Sequence, residues 1–403
     1  MILKRIRLYP PLLQGIEEAL ELIFGQGKKS DQAVPALLKA HPKWGSRDRH
    51  FVAENTYEIV RNKRLLNYIL EGAASGEPGY RQWAAAWLIL KGYYEEENPF
   101  FYGVDPVKVQ ERVAVSAPEI RFSVPDTLNE PVRKELGEER WYRELEAMSR
   151  PADVFLRVNL HRISRAKLKK ALEEEGIFTE EVDGVETALK LQKRSNLALI
   201  EAFRKGYFEV QDAGSQLIGA LLDPRPGELV IDACAGAGGK TLHLADRMGN
   251  RGRILALDVE APKLKELENR ARRNRVEIIA TRLMDQHVMA AFHEQADRLL
   301  LDVPCSGLGV IRRNPDAKEA LTGEFLENIR EVQAGILKNY SRMVKPGGSL
   351  VYATCSILPS ENREQVDRFL AENSGYVLKE DRQIWPSESG FDGFYMALIG
   401  KER

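Results

Sequence analysis

The first third of the chain repeats hydrophobic residues at the spacing of an α-helix. Ile16, Ala19 and Ile23 form one such stripe, because residues three and four apart share one face of a helix. Residues 83–94 form a longer, strongly apolar stretch with the same property. We therefore predict a domain of five or six helices over about residues 12–115.

The pattern changes in the middle of the chain. Residues 118–151 carry repeated prolines, which predicts a connector with short helical pieces. After Val154 the sequence predicts a small α+β unit, with a strand at 155–159, a helix at 165–175 that Ser164 caps, and strands near 176–182 and 187–191.

From Tyr207 onward, apolar runs typical of strands alternate with helical patterns. Strands are predicted at 229–233, 253–258, 279–285, 298–304 and 349–355, with helices at 261–274, 324–343 and 360–372 and a late antiparallel pair at 376–384 and 394–400. Such alternation predicts an α/β fold with a mostly parallel, doubly wound sheet. We divide the chain into a helical domain with connector at 1–150, a small α+β subdomain at 151–220 and an α/β domain at 221–403.

Composition narrows the functional classes. Of the 403 residues 43% are hydrophobic and 30% charged, and the net charge is -1, so no global basic excess marks a nucleic-acid-binding protein. The three cysteines are an odd number without a paired spacing, which argues against disulfides and for the cytoplasm. We expect no export signal, no membrane span and no metal, with His287 and His293 as ordinary histidines.

The stretch 229–241, LVIDACAGAGGKT, predicts a strand, a glycine turn and a helix, as in nucleotide-like sites. It ends like a Walker A loop, but Cys234 stands where the first glycine of that loop is needed. It also fits two glycines of a dinucleotide motif, but Thr241 stands at the third. A site for S-adenosylmethionine remains, and the alternative is a purely structural turn.

An acid or a thiol follows each predicted parallel strand, where open α/β sheets bind ligands. These residues are Cys234, Asp258, Asp285, Asp302 with Cys305, and Cys355. Asp258 stands about 20 residues past the glycine loop, the position of a ribose acceptor, with a helix cap as the alternative. Asp285 is a candidate acceptor for an adenine amino group, with an ordinary turn aspartate as the alternative.

Two cysteines stand in polar turns after neighbouring predicted strands. Buried cysteines are usually inert, but Cys305 and Cys355 lie outside the apolar runs, which favours reactivity. A reactive thiolate needs a lowered pKa, and Lys240 is a candidate cation for that role.

These motifs resemble the Nop/Sun family of RNA cytosine-C5 methyltransferases. The resemblance is carried by DACAGAGGKT, LALDVEAPK, LMD, DVPCSGLGVIRRNPD and ATCSILPSENREQV, and it extends over about residues 154–400. The helical part resembles the NusB-like domain of the bacterial Sun branch, whose members methylate small-subunit ribosomal RNA. The resemblance implies a Rossmann-like class I methyltransferase domain that binds S-adenosyl-L-methionine.

The resemblance also implies roles for individual residues. The implied cofactor-binding residues are Cys234, Ala235, Gly236, Ala237, Gly238, Gly239, Lys240, Asp258, Lys263, Asp285 and Asp302. The implied catalytic residues are Cys355 as nucleophile, Cys305 for product release, and Asp302 and Lys240 beside them. The chain departs from the family at Gly236-Ala237, usually Ala-Pro, which leaves the cofactor affinity open, and at Asn314, usually histidine.

The expected reaction follows from the base. C5 of cytosine is a poor nucleophile, and attack of a thiolate at C6 makes it reactive. A group near N3, expected to be Asp302, stabilises the adduct, and a second thiol or a water removes the C5 proton. The base must be unstacked for this attack.

Basic residues suggest where RNA is bound. The candidates are Arg157, Arg162, Arg165, Lys169, Arg312 and Arg313, and also Arg47, Arg49, Arg61, Lys63 and Arg64 of the helical domain. The alternative for each group is a solvated helix surface.

We expect a monomer that acts on 16S rRNA and contacts the small ribosomal subunit. The same chemistry on tRNA or another RNA, and a non-catalytic assembly factor, remain as alternatives.

Overall fold

The computed structural model describes residues 8–71 and 78–403. It divides into two compact units. The helical unit comprises Met1–Ser149 and Ile311–Gly323, and the sheet unit comprises Arg150–Val310 and Glu324–Arg403. No helix in the described part of the chain is long and apolar enough to cross a membrane.

The helical unit is built from amphipathic helices around one apolar core. Its helices are α1 Pro10–Leu20, α2 Ser30–Ala40, α3 Ser46–Arg61, α4 Lys63–Leu70, α5 Tyr80–Leu90, α6 Pro106–Ala114, α7 Pro118–Arg121, α8 Asp126–Leu136 and α9 Glu138–Met148. The first six confirm the helical prediction for residues 12–115. Ile16, Ile59 and Leu88 are fully buried where three of these helices meet. The region predicted as a connector contains two helices of 11 residues each, α8 and α9.

The short segment Ile311–Gly323 belongs to the helical unit, although in sequence it lies within the predicted α/β domain. The buried ammonium of Lys318 donates hydrogen bonds to backbone carbonyls of that unit, namely those of Arg61 (2.9 Å), Phe122 (3.2 Å) and Ser123 (2.8 Å). Asp316 accepts hydrogen bonds from the backbone N–H (3.1 Å) and the hydroxyl (2.8 Å) of Ser30. Polar side chains therefore hold the segment in place.

The sheet unit begins with a small antiparallel sheet of order β2-β3-β1-β4. Its elements are β1 Phe155–Val158, α10 Arg165–Glu174, β2 Thr179–Glu181, β3 Ala188–Leu191, α11 Glu201–Arg204 and β4 Phe208–Val210. The Ser164 hydroxyl caps α10, as predicted. The sequence analysis missed β4, because three residues are too few to show an alternating pattern.

The large sheet has seven strands in the order β10-β11-β9-β8-β5-β6-β7. Its strands are β5 Leu229–Asp232, β6 Arg253–Asp258, β7 Ile279–Leu283, β8 Ala296–Asp302, β9 Val344–Thr354, β10 Tyr376–Ile384 and β11 Phe394–Lys401. The helices of this part are α12 Ala213–Leu222, α13 Gly239–Arg247, α14 Ala261–Asn274, α15 Gln286–Ala291, α16 Gly323–Tyr340, α17 Arg363–Glu372 and α18 Pro386–Ser389. Strands β5 to β9 pair in parallel, and β10 and β11 add an antiparallel edge. The predicted α/β fold and its late antiparallel pair are confirmed.

The centre of the large sheet is apolar on both faces. Ile231, Leu255 and Leu299 belong to one buried cluster, and Val230 and Ile254 belong to another. Strands buried on both faces read as continuous apolar runs. The pattern thereby fixes β5, β6 and β8 as central strands whose carboxyl ends meet at one edge.

Replacing Lys318 by Met should destabilise the helical unit. Three backbone carbonyls, two of them in buried hydrogen bonds, would lose their donor, which we expect to lower the free energy of unfolding by about 2–4 kcal/mol. Denaturant unfolding followed by tryptophan fluorescence measures this, because Trp44, Trp83, Trp87 and Trp141 lie in this unit. The exposed Lys108→Met is the matched control, and equal midpoints for both variants would contradict the prediction.

The same substitution should change the pH dependence of stability. Burial, with the nearby Arg61 charge, lowers the pKa of Lys318 to about 7 from 10.5. The folded protein then binds this proton less well than the unfolded chain, so the contribution of Lys318 to stability increases as the pH rises from 7 toward 10. The stability difference between wild type and Lys318→Met should grow over this range. A constant difference would show that Lys318 stays protonated.

Candidate functional site

The glycine loop joins β5 to α13 at the centre of the large sheet. Gly236 and Gly238 have φ values of 52° and 86°, which favour glycine. A Cβ on Gly238 would lie 2.4 Å from Cγ of Leu267 in α14, so only glycine fits there. The loop therefore needs its glycines for its own conformation.

The same loop leaves space for a ligand. A Cβ on Gly236 or Gly239 would meet no atom within 4 Å, so both glycines border open space. Asp258, at the end of β6, accepts hydrogen bonds from the backbone N–H of Gly236 (2.8 Å) and of Glu260 (2.9 Å). Glu260, not Asp258, is the cap residue of α14. Asp258 therefore ties the loop to the next strand end and borders the open space.

Two other predicted cofactor residues lie near the adjoining strand ends. Asp285 is exposed, and its carboxylate caps α15 by accepting a hydrogen bond from the N–H of Val288 at 2.7 Å. This contact fits the alternative prediction for Asp285, an ordinary aspartate in a turn. Lys263, on the first turn of α14, forms an ion pair with Glu260 at 2.5 Å. Their proposed contacts with a cofactor stay predictions.

A partly buried ion pair lies between the loop and the end of β8. Nζ of Lys240 is 2.7 Å from Oδ2 of Asp302. Burial disfavours the charge on Lys240, but the ion pair with Asp302 outweighs burial and raises the Lys240 pKa. Asp232, which the sequence analysis did not single out, lies close by and accepts a hydrogen bond from Thr241 at 2.7 Å. Burial raises the pKa of Asp232 to about 7.

The two turn cysteines lie side by side. Sγ of Cys305 is 3.2 Å from Sγ of Cys355, and the backbone N–H of Cys355 points to Sγ of Cys305 at 3.3 Å. The hydrogen bond with Cys355 and burial raise the pKa of Cys305 well above its usual value. Cys305 therefore holds its proton at neutral pH. Burial also raises the pKa of the loop residue Cys234.

The structure corrects the prediction that Arg157 binds RNA. Its side chain is fully buried and donates hydrogen bonds to Gln211 (2.8 Å), Asn159 (3.0 Å) and the backbone carbonyl of Gly239 in the glycine loop (2.7 Å). Burial lowers its pKa to about 10, so it stays charged at neutral pH. Arg157 of the small sheet therefore supports the glycine loop.

A second arginine holds the loop in the same way. Arg270 of α14 donates to the carbonyl of Ala237 at 2.7 Å and to Glu209 of β4 at 3.0 Å. Burial alone would raise the pKa of Glu209, but Arg270 and its other hydrogen-bond donors lower it, so Glu209 carries a charge. Gly236-Ala237, where the chain differs from the usual Ala-Pro of the family, thus lies in a loop that two arginines hold in place.

The other arginines predicted to bind RNA are only partly exposed or already have partners within the protein. Arg312 is buried in the helical unit, which argues against the predicted RNA contact, and Arg313 is half-buried. Arg162 is half-buried and donates to the carbonyl of Asn274 at 3.3 Å, and Arg165 forms an ion pair with Glu181 at 2.6 Å.

In the helical unit, several predicted RNA residues have intramolecular partners. Arg61 is buried, and Arg49 donates to three backbone carbonyls. Arg64 forms an ion pair with Asp126 at 2.7 Å, and Lys63 lies 3.7 Å from Glu319. Arg61 and Arg49 therefore have structural roles within the helical unit, and neither the RNA contact nor the solvated helix surface describes the buried Arg61. No group of three or more potential metal-ligating side chains was found in the described residues.

A seven-stranded α/β sheet with a glycine loop at its centre and an acid on the next strand end defines a Rossmann-like protein with a site for a nucleotide-like ligand. Residues 219–400 match a family model described as 16S rRNA methyltransferase RsmB/F, and residues 124–198 match its ferredoxin-like domain. The chain therefore belongs to the RsmB/F methyltransferase family. This membership confirms the predicted family and S-adenosylmethionine as the cofactor.

Individual relatives agree with this assignment. The chain is 31% identical to a probable ribosomal RNA small subunit methyltransferase B of Bacillus subtilis, over 93% of this chain and 95% of that protein. It is 39% identical to ribosomal RNA small subunit methyltransferase B of Vibrio cholerae, over 67% of this chain and 63% of that protein. The crystal structure of PH0851 superimposes with a TM-score of 0.84 at 25% identity and covers 99% of this chain and 100% of that one.

The arginine support of the loop predicts an effect on cofactor binding. Arg270→Lys keeps the charge but cannot bridge Ala237 and Glu209 with two nitrogens. We expect the dissociation constant of S-adenosylmethionine to rise about tenfold, or about 1.4 kcal/mol, measured by calorimetry without RNA. The exposed Arg272→Lys on the same helix is the control, and unchanged affinity in both variants would rule out this role.

Proposed function

We propose that the chain transfers a methyl group from S-adenosylmethionine to C5 of a cytosine in RNA, with 16S rRNA as substrate. The observation that carries this proposal is the 3.2 Å approach of the Cys305 and Cys355 sulfur atoms beside the Lys240–Asp302 ion pair. Two thiols at one point suit a reaction in which one forms a covalent bond and the other assists its cleavage. The relatives named as small subunit methyltransferases support ribosomal RNA as the substrate.

The loop and its surroundings fit the cofactor. Gly236 and Gly239 border open space that side chains would fill, and Asp258 is at the position of a ribose acceptor. Val259, which the sequence analysis did not single out, is 73% exposed and offers an apolar surface next to Asp258. When bound, S-adenosylmethionine supplies the methyl group.

Cys355 is the proposed nucleophile by its resemblance to the family motif, and the raised pKa of Cys305 suits a partner that keeps its proton. Its sulfur forms a bond to C6 of the base, and the displaced electron pair of the ring moves to N3. A proton or hydrogen bond at N3 stabilises the resulting negative charge. The ion pair with Lys240 holds the partly exposed carboxylate of Asp302 at the end of β8. C5 then takes up the methyl group.

Cys305 acts in the second half of the reaction. The hydrogen bond with Cys355 is the main cause of its raised pKa. That hydrogen bond is lost once the Cys355 sulfur is bound to C6, so Cys305 can give its proton to water and then accept the C5 proton. The electron pair of the C5–H bond restores the double bond as the bond between sulfur and C6 breaks, and Cys355 leaves as a thiolate.

The reaction and its substrate are tested together by labelled S-adenosylmethionine with ribosomal RNA and tRNA from cells that lack the protein. We expect label as 5-methylcytosine at one site in 16S rRNA. Label in tRNA would keep the chemistry and overturn the substrate. No label in free RNA or in partly assembled small subunits, with cofactor bound, would favour the non-catalytic assembly factor.

Cys355→Ala should abolish methyl transfer, because no other group in the proposed mechanism attacks C6. We expect a loss of roughly 10³-fold or more in rate, with cofactor affinity retained. Transfer at the wild-type rate would refute Cys355 as the nucleophile.

Cys305→Ala should instead trap the intermediate. The adduct forms through Cys355, but the C5 proton lacks its base, so protein bound to RNA accumulates and survives a denaturing gel. The double variant Cys305→Ala, Cys355→Ala is the control and should show no such band. Normal turnover without adduct in Cys305→Ala would reverse the two roles.

A further inference from the structure

The two cysteine turns share a sequence pattern and one hydrogen bond. Cys305-Ser306-Gly307-Leu308 and Cys355-Ser356-Ile357-Leu358 both follow the pattern Cys-Ser-x-Leu. In each turn the serine hydroxyl accepts a hydrogen bond from the leucine N–H, at 3.2 Å for Ser306 and 3.1 Å for Ser356. Serine oxygens that bond the backbone two residues on are a known turn motif. Each serine therefore shapes the turn that presents its cysteine.

Both serines also donate to the same carboxylate. Oε1 of Glu361 accepts from the hydroxyls of Ser306 (2.5 Å) and Ser356 (2.6 Å). Oε2 of Glu361 accepts from the backbone N–H of Ser306 (2.7 Å) and from the amide of Gln333 (2.9 Å). Four donors match the four acceptor positions of an ionised carboxylate, and Glu361 is fully buried.

Further contacts fix this carboxylate and the turns around it. The hydroxyl of Tyr352 donates to the backbone carbonyl of Glu361 at 2.7 Å. The amide of Gln333 also donates to the carbonyl of Pro304 at 3.0 Å, next to the first cysteine. The N–H of Gly309 donates to the carbonyl of Cys355 at 2.9 Å, so one turn is bonded directly to the other.

We propose that Glu361 is a positioning residue that sets the distance between the Cys305 and Cys355 thiols by binding the serine next to each. The proposal rests on the proposed function only in assigning the two thiols to one reaction. Glu361 touches neither sulfur through a hydrogen bond in this structure, so it acts through Ser306 and Ser356. The sequence analysis quoted Glu361 within ATCSILPSENREQV without giving it a role.

A neutral amide cannot replace this carboxylate. Glu361 faces only donors, whereas glutamine would direct its own NH2 group at one of them. Removing the negative charge also acts on Cys305, whose pKa is raised by the hydrogen bond with Cys355, by burial and, among other causes, by Glu361. Glu361→Gln should therefore both separate the turns and make Cys305 easier to ionise.

The first test needs neither RNA nor cofactor. Diamide oxidises two neighbouring thiols to a disulfide and is itself reduced to the hydrazine. In the wild type we expect rapid closure between Cys305 and Cys355, identified by peptide mass mapping, because their sulfur atoms are 3.2 Å apart. In Glu361→Gln this disulfide should form at least tenfold more slowly. Closure at the wild-type rate would overturn the proposal, whatever the protein methylates.

A second variant and a control distinguish a loss of positioning from a general loss of structure. Ser356→Ala removes one hydroxyl and should slow closure by a smaller factor than Glu361→Gln. The control is Glu144→Gln, which replaces another fully buried glutamate, located in the helical unit. In this control, the disulfide between Cys305 and Cys355 should form at the wild-type rate. Equal slowing in the control and in Glu361→Gln would mean that general loss of structure, not positioning, explains the effect.

The second test uses methyl transfer. Glu361→Gln should lower kcat at least a hundredfold with little change in the KM for S-adenosylmethionine, and the optimum of its pH profile should shift to lower pH. Combined with Cys305→Ala, it should reduce the trapped adduct. Undiminished adduct in that double variant would refute positioning of Cys355. If the wild type makes no 5-methylcytosine, the proposed function fails while the diamide result still decides the role of Glu361.

Discussion

The register between β8 and β9 is the constraint on which the site depends. Asp302 pairs with Ala353 in the parallel ladder, so the chain leaves both strands at the same level. The turns that follow, 50 residues apart in sequence, therefore place Cys305 and Cys355 in contact. A shift of one residue would turn every side chain of the strand to the other face. The apolar residues of both strands, buried on each side of the sheet, oppose such a shift.

Buried charges around the site are paired, and their partners come from distant parts of the sheet unit. Arg157 and Arg270 hold the glycine loop, and Glu209 orients Arg270. A buried charge without a partner costs several kcal/mol, so such groups persist only in complete networks. The small sheet is thus part of the support of the glycine loop, which differs from the role in RNA binding that its basic residues suggested.

The site combines rigid support with unequal thiols. Glu361 holds the two cysteine turns through equivalent serines, yet the environments of the two sulfur atoms differ. Cys305 accepts a hydrogen bond from the N–H of Cys355, and its raised pKa means that it holds its proton. Two similar turns can therefore carry different roles, because the groups packed around each sulfur are not the same.

The sequence by itself determined the α/β fold, the strand ends that carry acids and thiols, and the family, because these depend on local patterns and short motifs. It did not reveal β4, the loop support by Arg157, or the role of Glu361. It also misjudged Arg312 and Arg157 as surface residues. Whether an arginine or a glutamate is exposed depends on what the rest of the chain brings next to it. Only the tertiary structure decides which buried charges find partners.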